Sequence, residues 1–149
     1  LKEHLQKKIN ALNLTNKIFL LGFDSNPYKY LSKSDCFIFT SNYEGFPNVL
    51  VEALVCKLPI ISTDCVSGPR EILSVNKKNT ICLENNIEIV DFGILIPINN
   101  EKSLIESMKM ILKDNKLRNT FKINSFKRAE FFKKKYFTKK FIEVINKYV

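Results

Sequence analysis

The apolar positions of this chain change their period along its length. Leu1, Leu5, Ile9 and Leu12 recur at helical spacing within LKEHLQKKINALN and predict an amphipathic helix at the amino end. IFLL at 18–21 is instead a short continuous apolar run closed by Gly22, the pattern of a strand buried on both faces. The loop FDSN then leads to a short helix near 27–33, with proline at a favoured first-turn position. CFIF at 36–39 predicts a second buried strand, residues 47–57 a helix, PIIST at 59–63 a third strand, and SGPREIL at 67–73 the opening of another helix. A looser, Asn-rich stretch covers 74–91. FGILIPI at 92–98 predicts a fourth strand, and from 101 onward the pattern is helical to the end.

Strands alternating with helices specify an α/β fold, a Rossmann-like parallel sheet flanked by helices on both faces. Three of the four glycines, Gly22, Gly45 and Gly68, each fall in the loop after a predicted strand, which is the sheet edge where ligands bind. No internal repeat or linker interrupts the pattern, so 1–149 reads as one domain. Parallel architecture would place a strand before the first helix, and none stands there. The expectation is a fragment, or a first strand supplied from elsewhere.

Composition narrows the function. No run of 18 apolar residues suggests a membrane span, and the charged first residues are no signal peptide. Cys36, Cys56, Cys65 and Cys82 show no paired spacing suited to zinc and read as reduced thiols of a cytoplasmic protein. His4, the single histidine, sits in a charged stretch, which argues against a Ser-His-Asp triad. Neither a Walker A sequence nor G-x-G-x-x-G occurs. The net charge of +9 is uneven: residues 1–75 hold eight basic and seven acidic side chains, residues 76–149 sixteen and eight. That excess suits either a lysine-decorated surface or attraction to phosphates or an anionic membrane.

The candidate chemistry lies in 36–63, where Glu44 and Glu52 stand eight residues apart in an otherwise apolar run. The helix 47–57 is apolar almost all round and should be buried on nearly every side. Pro47 suits its first turn, and the free N–H groups there, with the helix dipole, make a site for phosphate. Glu44 lies in the loop just outside, and Gly45 lets backbone approach a ligand closely. These positions suit a ligand with a central diphosphate, a sugar ring at Glu44 and a ribose at Glu52. Carboxylates grip sugar diols through charge-assisted hydrogen bonds. Plain structure remains an open alternative, with Glu52 paired to Lys57 or Arg70.

Together the residues say more than the spacing. YEGFPNVLVEA followed by LPIISTDCVSGPREIL resembles the carboxyl-terminal half of glycosyltransferase family 4, retaining enzymes of GT-B fold. The E-x7-E pair, the preceding Asp35, Phe37 and Ser41, the strand FGILIPI and the tail SLIESMKMILKDNKLRNTF carry the likeness over nearly the whole chain. The resemblance implies a donor-binding domain for a nucleotide-sugar. Glu44 would meet the sugar as candidate catalytic residue, framed by Gly45, Phe46 and Pro47. Asn48, Val49 and Leu50 would offer backbone amides, Glu52 would take the ribose, and Gly22 and Phe23 would flank the base. It further implies metal-independent transfer, with helix amides and basic side chains stabilising the leaving diphosphate.

The loop TDCVSGPREIL is most similar to members that build bacterial O-antigen and surface polysaccharide on lipid carriers, usually from UDP-galactose or a UDP-N-acetylhexosamine. A lipid-linked saccharide acceptor would then sit on an amino-terminal domain absent from this chain. The basic second half would rest on the cytoplasmic face of the inner membrane. A half-enzyme of this kind should bind donor weakly and transfer nothing. Two other classes compete. A non-catalytic flavodoxin-like nucleotide module would share the glycines without needing both glutamates. A nucleic-acid binder would use Phe121, Phe126, Phe131, Phe132, Tyr136, Phe137 and Phe141 as stacking residues, although several stand at the spacing of core-facing helical positions.

Overall fold

A computed structural model describes residues 1–75 and 82–148, and of Phe137 the backbone only. In chain order the elements are α1 (Lys2–Ala11), α2 (Tyr28–Leu31), β1 (Phe37–Phe39), α3 (Asn48–Val55), β2 (Ile60–Thr63), α4 (Pro69–Leu73), β3 (Glu88–Val90), β4 (Gly93–Ile96), α5 (Glu101–Lys113), α6 (Asn115–Glu130) and α7 (Lys134–Tyr148). The strands form one sheet in the order β1-β2-β4-β3. β1, β2 and β4 are parallel, as the alternation predicts, in the register Ile38 to Ile61 and Ser62 to Leu95.

The period of two along these strands divides the core into two layers. Ile60 and Leu95 face one way, under Leu50, Ala53 and Leu54 of α3, Ile72 and Leu73 of α4, and Ala129 of α6. Ile61, Ile94 and Ile96 face the other way, against Ile111 of α5 and Phe121 of α6. Helices therefore cover both faces, which is why strands β2 and β4 are apolar at consecutive positions.

Three features depart from the sequence reading. First, IFLL (18–21) joins no strand: Ile18, Phe19 and Leu21 are exposed. An apolar run becomes a strand only where a neighbour accepts its backbone hydrogen bonds, and none of the four strands does. Second, the stretch read as loose contains β3, which pairs antiparallel with β4 through Val90 and Gly93 and gives the parallel sheet one reversed edge. Residues 76–81 of that stretch lie outside the described residues. Third, among the described side chains of the last helices Phe121 is the one fully buried aromatic, while Phe126, Phe131, Tyr136 and Phe141 are exposed.

The helical tail divides at identifiable points. Asp114 ends α5 and caps α6, its carboxylate accepting from the Leu117 amide at 2.8 Å. α6 then returns to the sheet: Ser125 Oγ donates to the Leu58 carbonyl at 3.1 Å, and Arg128 donates to the carbonyls of Ile72 (2.9 Å) and Glu71 (2.6 Å). That guanidinium satisfies the end of α4, which is too short to hold itself. Among the described residues no helix is long and apolar enough to cross a membrane.

Candidate functional site

The segment 40–52 leaves the carboxyl end of β1 as a loop and enters α3. Pro47 is the residue before the helix, not its first residue: its φ is −73° and ψ 94°, extended backbone that turns the chain into the helix. No side chain caps this end. The Leu50 amide is engaged with the Pro47 carbonyl at 3.0 Å, and the Leu50 side chain is fully buried, so Leu50 belongs to the core. The amides of Asn48 and Val49 form no other backbone hydrogen bond among the described residues. The exposed, positive end of the dipole is thus two residues wide.

At its other end α3 closes cleanly. The Lys57 amide donates to Leu54 and the Leu58 amide to Ala53, both at 3.0 Å, with Lys57 in the left-handed region at φ 58°. This pattern ends a helix and satisfies its last carbonyls. It also stops α3 at Val55, two residues short of the expected bound.

α3 is not buried on every side, contrary to what its composition suggests. Leu50, Ala53 and Leu54 point into the core, but Val55 is 50% exposed and Val49, Val51 and Glu52 are half-buried. Asn48, Val51, Glu52 and Val55 form a single stripe at helical spacing. With Tyr28 of α2 they line a groove of about 400 Å³. Glu52 forms no ion pair among the described residues: Arg70 is bound elsewhere, and Lys57 lies over the Phe126 ring at 5.0 Å. Its neighbour is the Tyr28 phenol, whose pKa is pushed up chiefly by the Glu52 charge, then by burial and by a hydrogen bond to the same carboxylate. The pairing of Glu52 with Lys57 or Arg70 is therefore excluded, and Tyr28 is a wall of the groove that hydrophobic periodicity did not single out.

Glu44 is half-buried in the loop, four residues before the first residue of α3. Its charge reaches the Cys65 thiol, which is pushed up first by burial and further by Glu44. Gly45 has open space around it, with no atom within 4 Å of where a Cβ would lie. The Phe46 ring packs against Phe132 at 5.7 Å between centroids, which ties the loop to the end of α6. The structure thus brings Glu44, Gly45, Phe46, Pro47, Asn48, Val49 and Glu52 to one sheet edge. Gly22 turns the chain at φ 73° and Phe23 is 97% exposed, and neither lines the Glu52 groove.

A further group holds this edge and was visible in the sequence only as the string TDCVSGPREI. Asp64, 1% exposed, accepts from Arg70 Nε at 3.0 Å and Nη2 at 2.6 Å and from the Leu83 amide at 2.9 Å. Arg70 also meets Glu88 at 2.8 Å. Burial alone would lower the Arg70 pKa, but its bonds to Asp64 and Glu88 outweigh this and raise it. Such a pair is costly to break from one side, because the partner is left charged and buried.

Comparison with known proteins gives the arrangement its context. The model of the family Glycosyl transferases group 1 matches residues 1–128. An N-acetylgalactosamine-N,N'-diacetylbacillosaminyl-diphospho-undecaprenol 4-alpha-N-acetylgalactosaminyltransferase of Campylobacter jejuni is 41% identical over 122 residues, 82% of this chain and 30% of that protein. A poly(ribitol-phosphate) alpha-N-acetylglucosaminyltransferase of Staphylococcus aureus is 31% identical, over 67% of this chain and 20% of that protein. The chain thus spans about a third or less of the length of these relatives. Among solved structures, Anabaena HepE in complex with UDP superimposes with a TM-score of 0.79 at 21% identity, over 97% of this chain and 36% of that one. The C-terminal domain of the Francisella tularensis group 1 protein LpcC gives 0.68 at 23%, over 88% and 61%. At these identities the structural likenesses establish the fold.

Proposed function

Since this chain belongs to the glycosyl transferases of group 1, we propose that it is the donor-binding domain of a retaining glycosyltransferase that takes a UDP-sugar. The observation that carries the reading is the placement of Glu44 and Glu52 on either side of the uncapped amino end of α3, with the groove beside Glu52. A nucleotide-sugar needs three kinds of contact, and the edge offers one of each. Glu44 receives hydroxyls of the sugar ring, the Asn48 and Val49 amides receive the diphosphate, and Glu52 receives the ribose diol. Tyr28 and Val55 supply the flat and apolar walls of the nucleoside end.

Chemically, the developing charge on the leaving diphosphate falls on fixed backbone dipoles, and on this reading transfer is metal-independent. Glu44 orients the sugar at the reacting carbon. UDP as the nucleotide is supported by the UDP complex of a neighbour with the same fold. An N-acetylhexosamine or galactose as the sugar, and a lipid-linked saccharide in surface polysaccharide synthesis as the acceptor, are supported by the named activities of relatives. These include a lipopolysaccharide 1,6-galactosyltransferase of Escherichia coli that is 39% identical over 75 residues. On the same reading the acceptor is held by a domain outside this chain. The basic second half, whose last helix exposes Lys135, Lys139, Lys140 and Lys147, rests against the cytoplasmic face of the inner membrane.

Titration of the isotope-labelled chain by NMR with UDP, GDP, ADP, UDP-galactose and UDP-N-acetylglucosamine tests this. Shifts should cluster at 44–52 and at Tyr28 for the uridine ligands. Glu52→Ala should weaken UDP by about 1–3 kcal/mol, the cost of losing a charged hydrogen-bond partner. Glu44→Ala should leave UDP nearly unchanged and weaken only the sugar's contribution. Equal binding of all three nucleotides, unaffected by Glu52→Ala, would reduce the site to a general phosphate site.

A further inference from the structure

The Glu44 loop has no regular secondary structure, and hydrogen bonds from outside it help to hold the backbone that carries the Glu44 carboxylate. The contacts that do so come from the next strand and its loop. Thr63 Oγ1, at the end of β2, donates to the Ser41 carbonyl. Ser67 Oγ donates to the Glu44 carbonyl at 2.6 Å and lies 3.3 Å from the Gly45 carbonyl. Two hydroxyls from outside the loop thus hold the Ser41 and Glu44 carbonyls, and with the latter the peptide plane between Glu44 and Gly45. The plane before Glu44 is held within the loop, where Ser41 Oγ donates to the Tyr43 carbonyl at 3.0 Å.

The two loops also touch with no side chain between them. Gly68 has φ 90°, and a Cβ there would lie 2.4 Å from Pro47 Cδ and 2.8 Å from the Gly45 carbonyl oxygen. Only glycine fits, on grounds of both conformation and space. The supporting loop is itself anchored at its far ends. The Asp64 amide donates to the Ile96 carbonyl at 2.8 Å, the Asp64 carboxylate is locked by Arg70 and the Leu83 amide, and α4 is held by Arg128. Ser67 is therefore a hydroxyl on an anchored arm, set against a loop with no regular secondary structure.

We propose that Ser67 is a positioning residue for Glu44: through the Glu44 carbonyl it orients the carboxylate toward the donor sugar, without touching the donor. The proposal rests on the donor reading above. It adds that the two ends of the ligand are held by separate scaffolds. Glu52 is placed by α3, and Glu44 by the β2–α4 loop through Ser67 and Gly68.

Separate scaffolds make the two ends separable by experiment. Isothermal titration of the chain and of Ser67→Ala, Ser67→Thr, Glu44→Ala and the Ser67→Ala/Glu44→Ala double variant would use UDP and the tighter of UDP-galactose and UDP-N-acetylglucosamine. Ser67→Ala should leave the UDP Kd unchanged within about twofold. The extra affinity of the UDP-sugar over UDP should fall roughly two- to tenfold, the range for one net hydrogen bond. Ser67→Thr, which keeps the hydroxyl, should restore it, and Ser67→Ala on the Glu44→Ala background should cost nothing more.

A ligand-free measurement runs beside this. Backbone order parameters at Gly45 and Phe46 should drop from the rigid range near ~0.85 toward ~0.6 in Ser67→Ala, with residues 60–63 unchanged. Unchanged order parameters together with an unchanged sugar increment would overturn the proposal. So would equal losses for UDP and UDP-sugar, which mark a general structural defect. If the parent chain binds no nucleotide, the donor reading falls, and the order parameters alone decide whether Ser67 holds the loop.

Discussion

Two short apolar runs, IFLL at 18–21 and CFIF at 36–39, look alike in the sequence and end differently. Phe37 and Phe39 of the second sit on one face of β1, their rings 6.4 Å apart, packed against the α3 and α4 layer. The Phe37 amide donates to the Pro59 carbonyl at 2.9 Å, which starts the ladder with β2. Phe19 of the first run is 69% exposed and Leu21 59%. The difference is not in hydrophobicity. α3 carries the chain back so that β2 lies beside CFIF, whereas none of the four strands lies beside IFLL. An apolar run states a need for cover, and only a neighbour can meet it.

The largest expected effect that tests this contrast is on stability. Ile60→Ala, at a fully buried position beside β1, should cost about 2–5 kcal/mol in urea denaturation. Phe19→Ala should stay within about 0.5 kcal/mol. Similar losses for both would mean that IFLL is covered in solution and the contrast is lost.

A second effect concerns the thiol that opens the CFIF run. Burial, and then the Asp35 charge, push the Cys36 pKa from 9.0 to about 11. At pH 8 its thiolate population should be about a hundredfold below that of an unperturbed thiol, and iodoacetamide labelling slower in proportion. Mass spectrometry against a peptide thiol measures this, and labelling at the peptide's rate would show that the edge of β1 is open.

The smallest effect lies just after IFLLGF. The Asp24 carboxylate takes Lys29 at 2.6 Å, then the Asn26 amide and the Tyr30 hydroxyl, and its pKa is lowered from 3.8. A carboxyl depressed in the folded state contributes stability above its unfolded value, which is lost as pH falls through the folded value. The side-chain carbon of Asp24 should therefore titrate below 3.8, with α2 loosening over that same interval. Titration at or above 3.8 would leave the segment 24–31 without its anchor.

Much of the candidate edge was legible because its signals are local. A proline at the start of an apolar helix, the glycines after β1 and β2, and two carboxylates eight apart need only their neighbours to be read. Tyr28 and Ser67 were not legible. Tyr28 matters because α2 packs beside the outer stripe of α3, and Ser67 because the loop after β2 crosses the loop after β1, 23 residues away. The outward face of α3 was misread for the same reason. Val51 and Val55 resemble core residues until a groove is seen to lie over them.

The sequence by itself determined the elements that depend on short-range physics: the apolar strands β1, β2 and β4, the helices between them, and the family pattern around Glu44 and Glu52. Tertiary structure alone decided which apolar runs became strands, that β3 turns back along β4, that Asp64 and not Glu52 takes Arg70, and that Ser67 holds the Glu44 loop. Those outcomes depend on which distant segments meet, because burial, backbone pairing and charge pairing are properties of neighbours in space.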